Sequence, residues 1–104
     1  MTHIHIDEGS RTVQVGETVT IEVVENAGAG YQTRAVLPEG ITQLNTRLGA
    51  PNLPGRTIGG PVRRYFDLVA TTEGDHFMTF VEERPWEVHS YRNERRFKLT
   101  ARKR

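Results

Sequence analysis

Thr18-Val19-Thr20-Ile21-Glu22-Val23 puts a valine or isoleucine at every second position. A period of two sets those three side chains on one face of an extended strand, with Thr18, Thr20 and Glu22 on the other. The alternation recurs on both sides. Upstream, Thr12-Val13-Gln14-Val15 repeats it, and Gly16-Glu17 separates the two runs as a tight connection. Downstream, Tyr65-Phe66-Asp67-Leu68-Val69-Ala70 turns Phe66, Leu68 and Ala70 inward, and Arg96-Phe97-Lys98-Leu99-Thr100-Ala101 does the same with Phe97, Leu99 and Ala101. His76-Phe77-Met78-Thr79-Phe80-Val81 is apolar on both faces, the pattern expected of a central strand. Between the runs lie Asn26 to Gly30, Pro38-Glu39-Gly40, Pro51 to Gly60, Glu73-Gly74-Asp75 and Arg84-Pro85-Trp86. Such clusters supply the fixed or positive φ that a reversing chain requires. No stretch carries a 3.6-residue apolar period. About seven or eight short strands at this spacing predict an all-β sandwich or barrel. With no internal repeat and no boundary, residues 1–104 read as one domain, and Leu48 to Gly60 as its longest loop.

Composition narrows the function. A chain of 104 residues that is 36% hydrophobic and 26% charged can bury one core and is too apolar for wholesale disorder. No apolar run approaches the roughly 18 to 20 residues of a membrane span, so no membrane partner is expected. Met1-Thr2-His3-Ile4-His5-Ile6-Asp7 lacks the basic and apolar segments of a signal peptide. A cytoplasmic location is therefore expected of the chain as written, while a trimmed secreted form would read the same. The absence of cysteine excludes a disulfide framework, a thiolate metal site and a thiol nucleophile.

Candidate chemistry is sparse. His3 and His5 share a strand face, but a metal site needs at least a third ligand, and neither His76 nor His89 supplies one by spacing. No metal or cofactor is expected. Asn26-Ala27-Gly28-Ala29-Gly30 looks like a phosphate loop but lacks the following Lys-Ser/Thr and the helix. Ser10 and Ser90 have no nucleophile elbow, and adjacent Glu82 and Glu83 point to opposite faces of an extended chain. No catalytic residue is assigned, and an enzyme is not expected. Between Arg92 and Arg104 stand seven basic residues and one acid. With Phe97, Leu99 and Ala101 turned inward, Arg96, Lys98 and Arg102 form a solvated strand face, so nucleic acid is not the expected partner. Trp86 differs. It is the one tryptophan, it follows Arg84-Pro85 outside any alternating run, and tryptophan and arginine dominate binding hot spots.

Three segments taken in order resemble the chagasin family of cysteine-protease inhibitors. That family has an Asn-Pro-Thr-Thr-Gly-Tyr/Phe loop, a glycine-pair loop and an Arg-Pro-Trp loop. Asn26-Ala27-Gly28-Ala29-Gly30-Tyr31 is similar to the first, Gly59-Gly60 to the second and Arg84-Pro85-Trp86 to the third. The resemblance runs from about Arg11 to Ala101. It implies an immunoglobulin-like antiparallel β-sandwich whose three loops form a wedge for the cleft of a papain-like cysteine peptidase. The chain is expected to be a monomer. Asn26 and Gly30 would shape the first loop, Tyr31 would anchor its base to the core, and Ala29 would approach the target cysteine. Gly59 and Gly60 would allow close backbone approach, and Arg84, Pro85 and Trp86 would form the third contact. Ala27 stands for the family's proline and Gly28-Ala29 for its threonines, which leaves the loop more flexible and removes volume above the cysteine. Thr57-Ile58 stands where a further glycine is usual. An alternative from another class is a non-inhibitory adaptor that binds through the same loops.

Overall fold

The alternating runs form two four-stranded sheets packed face to face, in a computed structural model that describes residues 2–26, 30–49, 62–87 and 93–103. Among these residues the strands are β1 (Thr2–His5), β2 (Ser10–Gln14), β3 (Thr18–Glu25), β4 (Gln32–Val36), β5 (Ile41–Leu48), β6 (Val62–Ala70), β7 (Gly74–Glu83) and β8 (Asn93–Arg102), with one 3-10 turn at Ile6–Glu8. The first sheet has the order β1-β3-β6-β5 and the second β2-β8-β7-β4. Most pairings are antiparallel, with Ile21 opposite Phe66 and Met78 opposite Phe97. The short edge strands β1 and β2 instead run parallel to β3 and β8. Gly16-Glu17 is thus a crossover between sheets: Val13 pairs with Ala101 in one sheet and Val19 with Leu68 in the other. Gly16, at φ +87°, makes that step possible, and its N–H donates to the Ala70 carbonyl at 2.9 Å.

The period of two decides the core. Val19, Ile21, Val23, Phe66, Leu68 and Ala70 face Met78, Phe80, Phe97, Leu99 and Ala101 across the sandwich, and all are buried. Phe66 and Phe80 meet with ring centroids 5.2 Å apart. Each of these side chains larger than alanine stabilises the fold by about 1.5 to 3 kcal/mol relative to exposure. One expectation needs correcting. β7 is central in its sheet, but of its large apolar residues only Met78 and Phe80 are buried on the inward face; Phe77 is 68% exposed. Lying between two strands satisfies a strand's backbone, whereas only one face of a sandwich sheet meets the other sheet.

His3 and His5 do share a face of β1. Both turn to Glu22 on β3, with His3 Nε2 2.8 Å from Oε1 and His5 Nε2 3.8 Å from Oε2. Among the described residues no three ligand-type side chains are placed to hold a metal ion. No described helix is long and apolar enough to cross a membrane.

Strand register brings several ends together. Glu25 is opposite Val62, Leu48 opposite Arg64, Gln32 opposite Glu83 and Asn93 opposite Glu82. The strands that flank residues 26–31, 49–61 and 84–92 therefore all end on one side of the sandwich.

Candidate functional site

At that end the chain passes from β3 in one sheet to β4 in the other. The crossing starts at Asn26, whose backbone N–H donates to Glu82 Oε2 at 2.9 Å. Its Nδ2 lies 3.2 and 3.4 Å from the two oxygens of the same carboxylate. Tyr31 N–H donates back to the Asn26 carbonyl at 3.3 Å, which ties the two ends of the segment to each other. Beyond it, Thr33 N–H donates to Glu25 Oε1, and the same oxygen accepts from Arg64 Nε at 2.8 Å. Glu25, Arg64 and Glu82 are all buried, and every buried polar side-chain atom among the described residues has a partner. That is the condition on which buried charge is tolerated.

The other described component is the turn after β7. Pro85 supplies its fixed φ, and Glu87 N–H donates to the Arg84 carbonyl at 3.1 Å. The turn leans on the first segment at two points. The Arg84 guanidinium lies 4.7 Å from the centre of the Tyr31 ring, a cation–π stack, and Arg84 Nη1 is 3.4 Å from Glu87 Oε1. Trp86 lies against Gly30, so close that a Cβ on Gly30 would fall 2.7 and 2.8 Å from its ring carbons Cη2 and Cζ2. Gly30 also holds φ +85°. Absence of a side chain is needed there twice over, for the backbone angle and for the ring. Despite this contact Trp86 remains 69% exposed.

An exposed indole and a proline on a tied turn, stacked on a segment held at both ends, have the composition and rigidity that suit a binding surface. A family model for chagasin-family peptidase inhibitors matches residues 12–101. The chain belongs to the chagasin family. Three solved structures share the fold of this chagasin-family chain. A cysteine protease inhibitor from Entamoeba histolytica, EhICP2, superposes with a TM-score of 0.82 at 17% identity, covering 97% of this chain and 95% of that one. Amebosin gives 0.68 at 23% identity over 99% and 97%. PbICP-C, in complex with falcipain-2, gives 0.59 at 19% identity over 98% and 91%. Among curated proteins none matches the sequence.

Of the residues singled out from the sequence, the structure brings Asn26, Gly30, Tyr31, Arg84, Pro85 and Trp86 together. Ala27, Gly28, Ala29, Gly59 and Gly60 lie outside the described residues. Tyr31 is half-buried beneath Arg84, and carboxylates hold the roots of the segment as well. Glu25 and Arg64 are not among the sequence candidates, and Glu82 enters there only beside Glu83, as a carboxylate pair that points apart. Their signal was parity: Glu25 is in phase with Val19, Ile21 and Val23, Arg64 with Phe66 and Leu68, and Glu82 with Met78 and Phe80. Three charges at inward positions near one end of the sandwich point to a buried polar network there.

Proposed function

We propose that this chagasin-family chain is a reversible inhibitor of papain-like cysteine peptidases, acting as a monomer that enters the active-site cleft with loops 26–31, 49–61 and 84–92. The supporting observation is the packing of Trp86 on Gly30, which joins the first and third loops into one edge although 56 positions separate them in sequence. In this reading Ala27, Gly28 and Ala29 lie over the catalytic cysteine, held by Asn26, Gly30 and Tyr31. Gly59 and Gly60 let backbone approach one cleft wall, and Arg84, Pro85 and Trp86 grip the other. PbICP-C, of similar fold, is captured in complex with falcipain-2.

The physics of such inhibition asks for a shape that is set before binding. A segment already tied at its roots loses little conformational freedom on entering a cleft, so more of the contact energy appears as affinity. It also blocks the nucleophile without offering a bond in cleavable geometry. An exposed tryptophan beside a proline adds a large, stiff apolar contact. The function proposed is binding, and no residue of this chain is assigned a catalytic step.

Steady-state inhibition across a panel of papain-like peptidases tests the reading. Sub-micromolar inhibition of at least one member is the expected result. No inhibition by a folded protein across the panel would turn the reading to an adaptor using the same loops.

A further inference from the structure

The β3–β4 crossing is held at its two roots by carboxylates that reach in opposite directions. Glu82, on β7 of the second sheet, takes the N–H of Asn26 at the end of the first sheet's β3. Glu25, on β3, takes the N–H of Thr33 on the second sheet's β4 and shares the accepting oxygen with Arg64. Glu25 is 1% and Glu82 6% exposed. An apolar side chain at either position would fit the parity of its strand and would avoid the desolvation cost of a buried carboxylate. It could not accept a backbone N–H. The two glutamates therefore supply something that packing does not: each fixes a root of the segment to the opposite sheet.

We propose that Glu82, with Glu25 opposite it, is a positioning residue of the inhibitory edge. The inference rests on the reading of residues 26–31 as a peptidase-contacting loop. It also explains how this chain manages with Ala27, Gly28 and Ala29 where the family resemblance places a proline and two threonines. Those residues stiffen a loop from within. Here the two roots are held instead, through charge-assisted bonds that are stronger than neutral ones. Glu82 holds its root twice, through the N–H and through Nδ2 of Asn26. The side-chain half of that grip can be rewired without touching the backbone.

Four variants test it: Glu82→Ala, Glu82→Gln, Asn26→Asp and the double variant Asn26→Asp/Glu82→Gln. For each, the inhibition constant against a papain-like peptidase inhibited by the parent is measured beside the thermal midpoint and the exchange rate of the Asn26 amide. Glu82→Ala should raise the inhibition constant about tenfold or more in a protein still folded at assay temperature, and speed exchange at Asn26. Glu82→Gln should lose less, because its amide oxygen still accepts the Asn26 N–H. Asn26→Asp sets one carboxylate against another and should weaken inhibition. In the double variant the glutamine amide donates to the new aspartate, and inhibition should return to within about threefold of the parent. A merely structural role would show inhibition falling only with the thermal midpoint and no recovery in the double variant, and that result overturns the inference. Unchanged inhibition and unchanged exchange in Glu82→Ala overturn it as well. Should that variant fail to fold, Asn26→Asp and the double variant still decide. If the parent inhibits no papain-like peptidase, the functional reading fails separately, and exchange at Asn26 still decides whether Glu82 holds the loop.

Discussion

The indole of Trp86 occupies the space that a side chain at position 30 would need. A Cβ on Gly30 would lie 2.7 Å from Cη2 of that ring, and Gly30 stands at φ +85°, where a side chain is strained in any case. Gly30→Ala should therefore push Trp86 off the first loop and strain the backbone, at a stability cost of about 1 to 3 kcal/mol. Denaturant unfolding measures the cost, and tryptophan fluorescence, from the one indole present, reports its displacement. An unshifted emission spectrum with unchanged stability would show that the two residues are not in contact.

Trp86→Ala separates binding from folding. With the indole 69% exposed, truncation should cost less than about 1 kcal/mol of stability, against about 3 to 5 for a buried aromatic such as Phe97. Inhibition should weaken by at least about tenfold, in the range of an interface anchor. Paired unfolding and inhibition curves give both numbers. A stability loss near that of Phe97→Ala would make Trp86 a packing residue.

The buried pair Glu25 and Arg64, 2.8 Å apart, gives an asymmetric expectation. Glu25→Ala strands a buried guanidinium, which otherwise donates to the Thr46 hydroxyl at 3.4 Å, and should cost about 3 to 5 kcal/mol. Replacing both, with Glu25→Leu and Arg64→Leu, should recover much of that loss, although Thr33 N–H is left without its carboxylate. Urea midpoints of the single and double variants check it. Equal losses in the two would show that the charges do not depend on each other.

Glu17 sets a weak acid sensitivity at the start of β3. Its carboxylate accepts from the Thr2 hydroxyl and from Gln14 N–H at 3.1 Å, and these bonds hold its carboxyl below the usual value of 4.5. Glu8 is lowered in the same direction by its hydrogen bond from Arg11. The unfolded chain then takes up these protons at a higher pH than the folded chain does. The contribution is complete above the unfolded value and is lost as pH falls through the lowered folded value. For Glu17, half-buried at the surface, it should stay within about 1 kcal/mol. Unfolding measured from pH 7 downward should show Glu17→Gln losing less stability in acid than the parent. Parallel curves would contradict the assignment.

How far the sequence can be read follows from where the information sits. Val19-Ile21-Val23, Phe66-Leu68-Ala70 and Phe97-Leu99-Ala101 carry their inward face in a local period of two, so the strands and most of the core are legible without coordinates. Trp86 is legible as an exposed residue because Pro85 and its polar followers set it outside any alternating run. Phe77 misleads because an apolar residue beside Met78 looks covered, whereas the outer face of a sandwich sheet stays in water. Gly16-Glu17 reads as a tight turn, and only the parallel partners of β1 and β2 reveal a change of sheet. The roots of the first loop are hidden for a further reason. Glu25 and Arg64 lie 39 positions apart, and Glu82 and Asn26 lie 56 apart, so each charge looks like a surface residue until its partner is in view.

The most direct test of the wedge is protection of the target's own nucleophile. A papain-like peptidase saturated with this protein is treated with iodoacetamide, and alkylation of its catalytic cysteine is followed by mass spectrometry. Loops 26–31, 49–61 and 84–92 seated in the cleft should slow alkylation by at least about tenfold, with much of the protection lost for Trp86→Ala at the same concentration. A complex that forms while the cysteine reacts at the rate of the free peptidase would contradict the account.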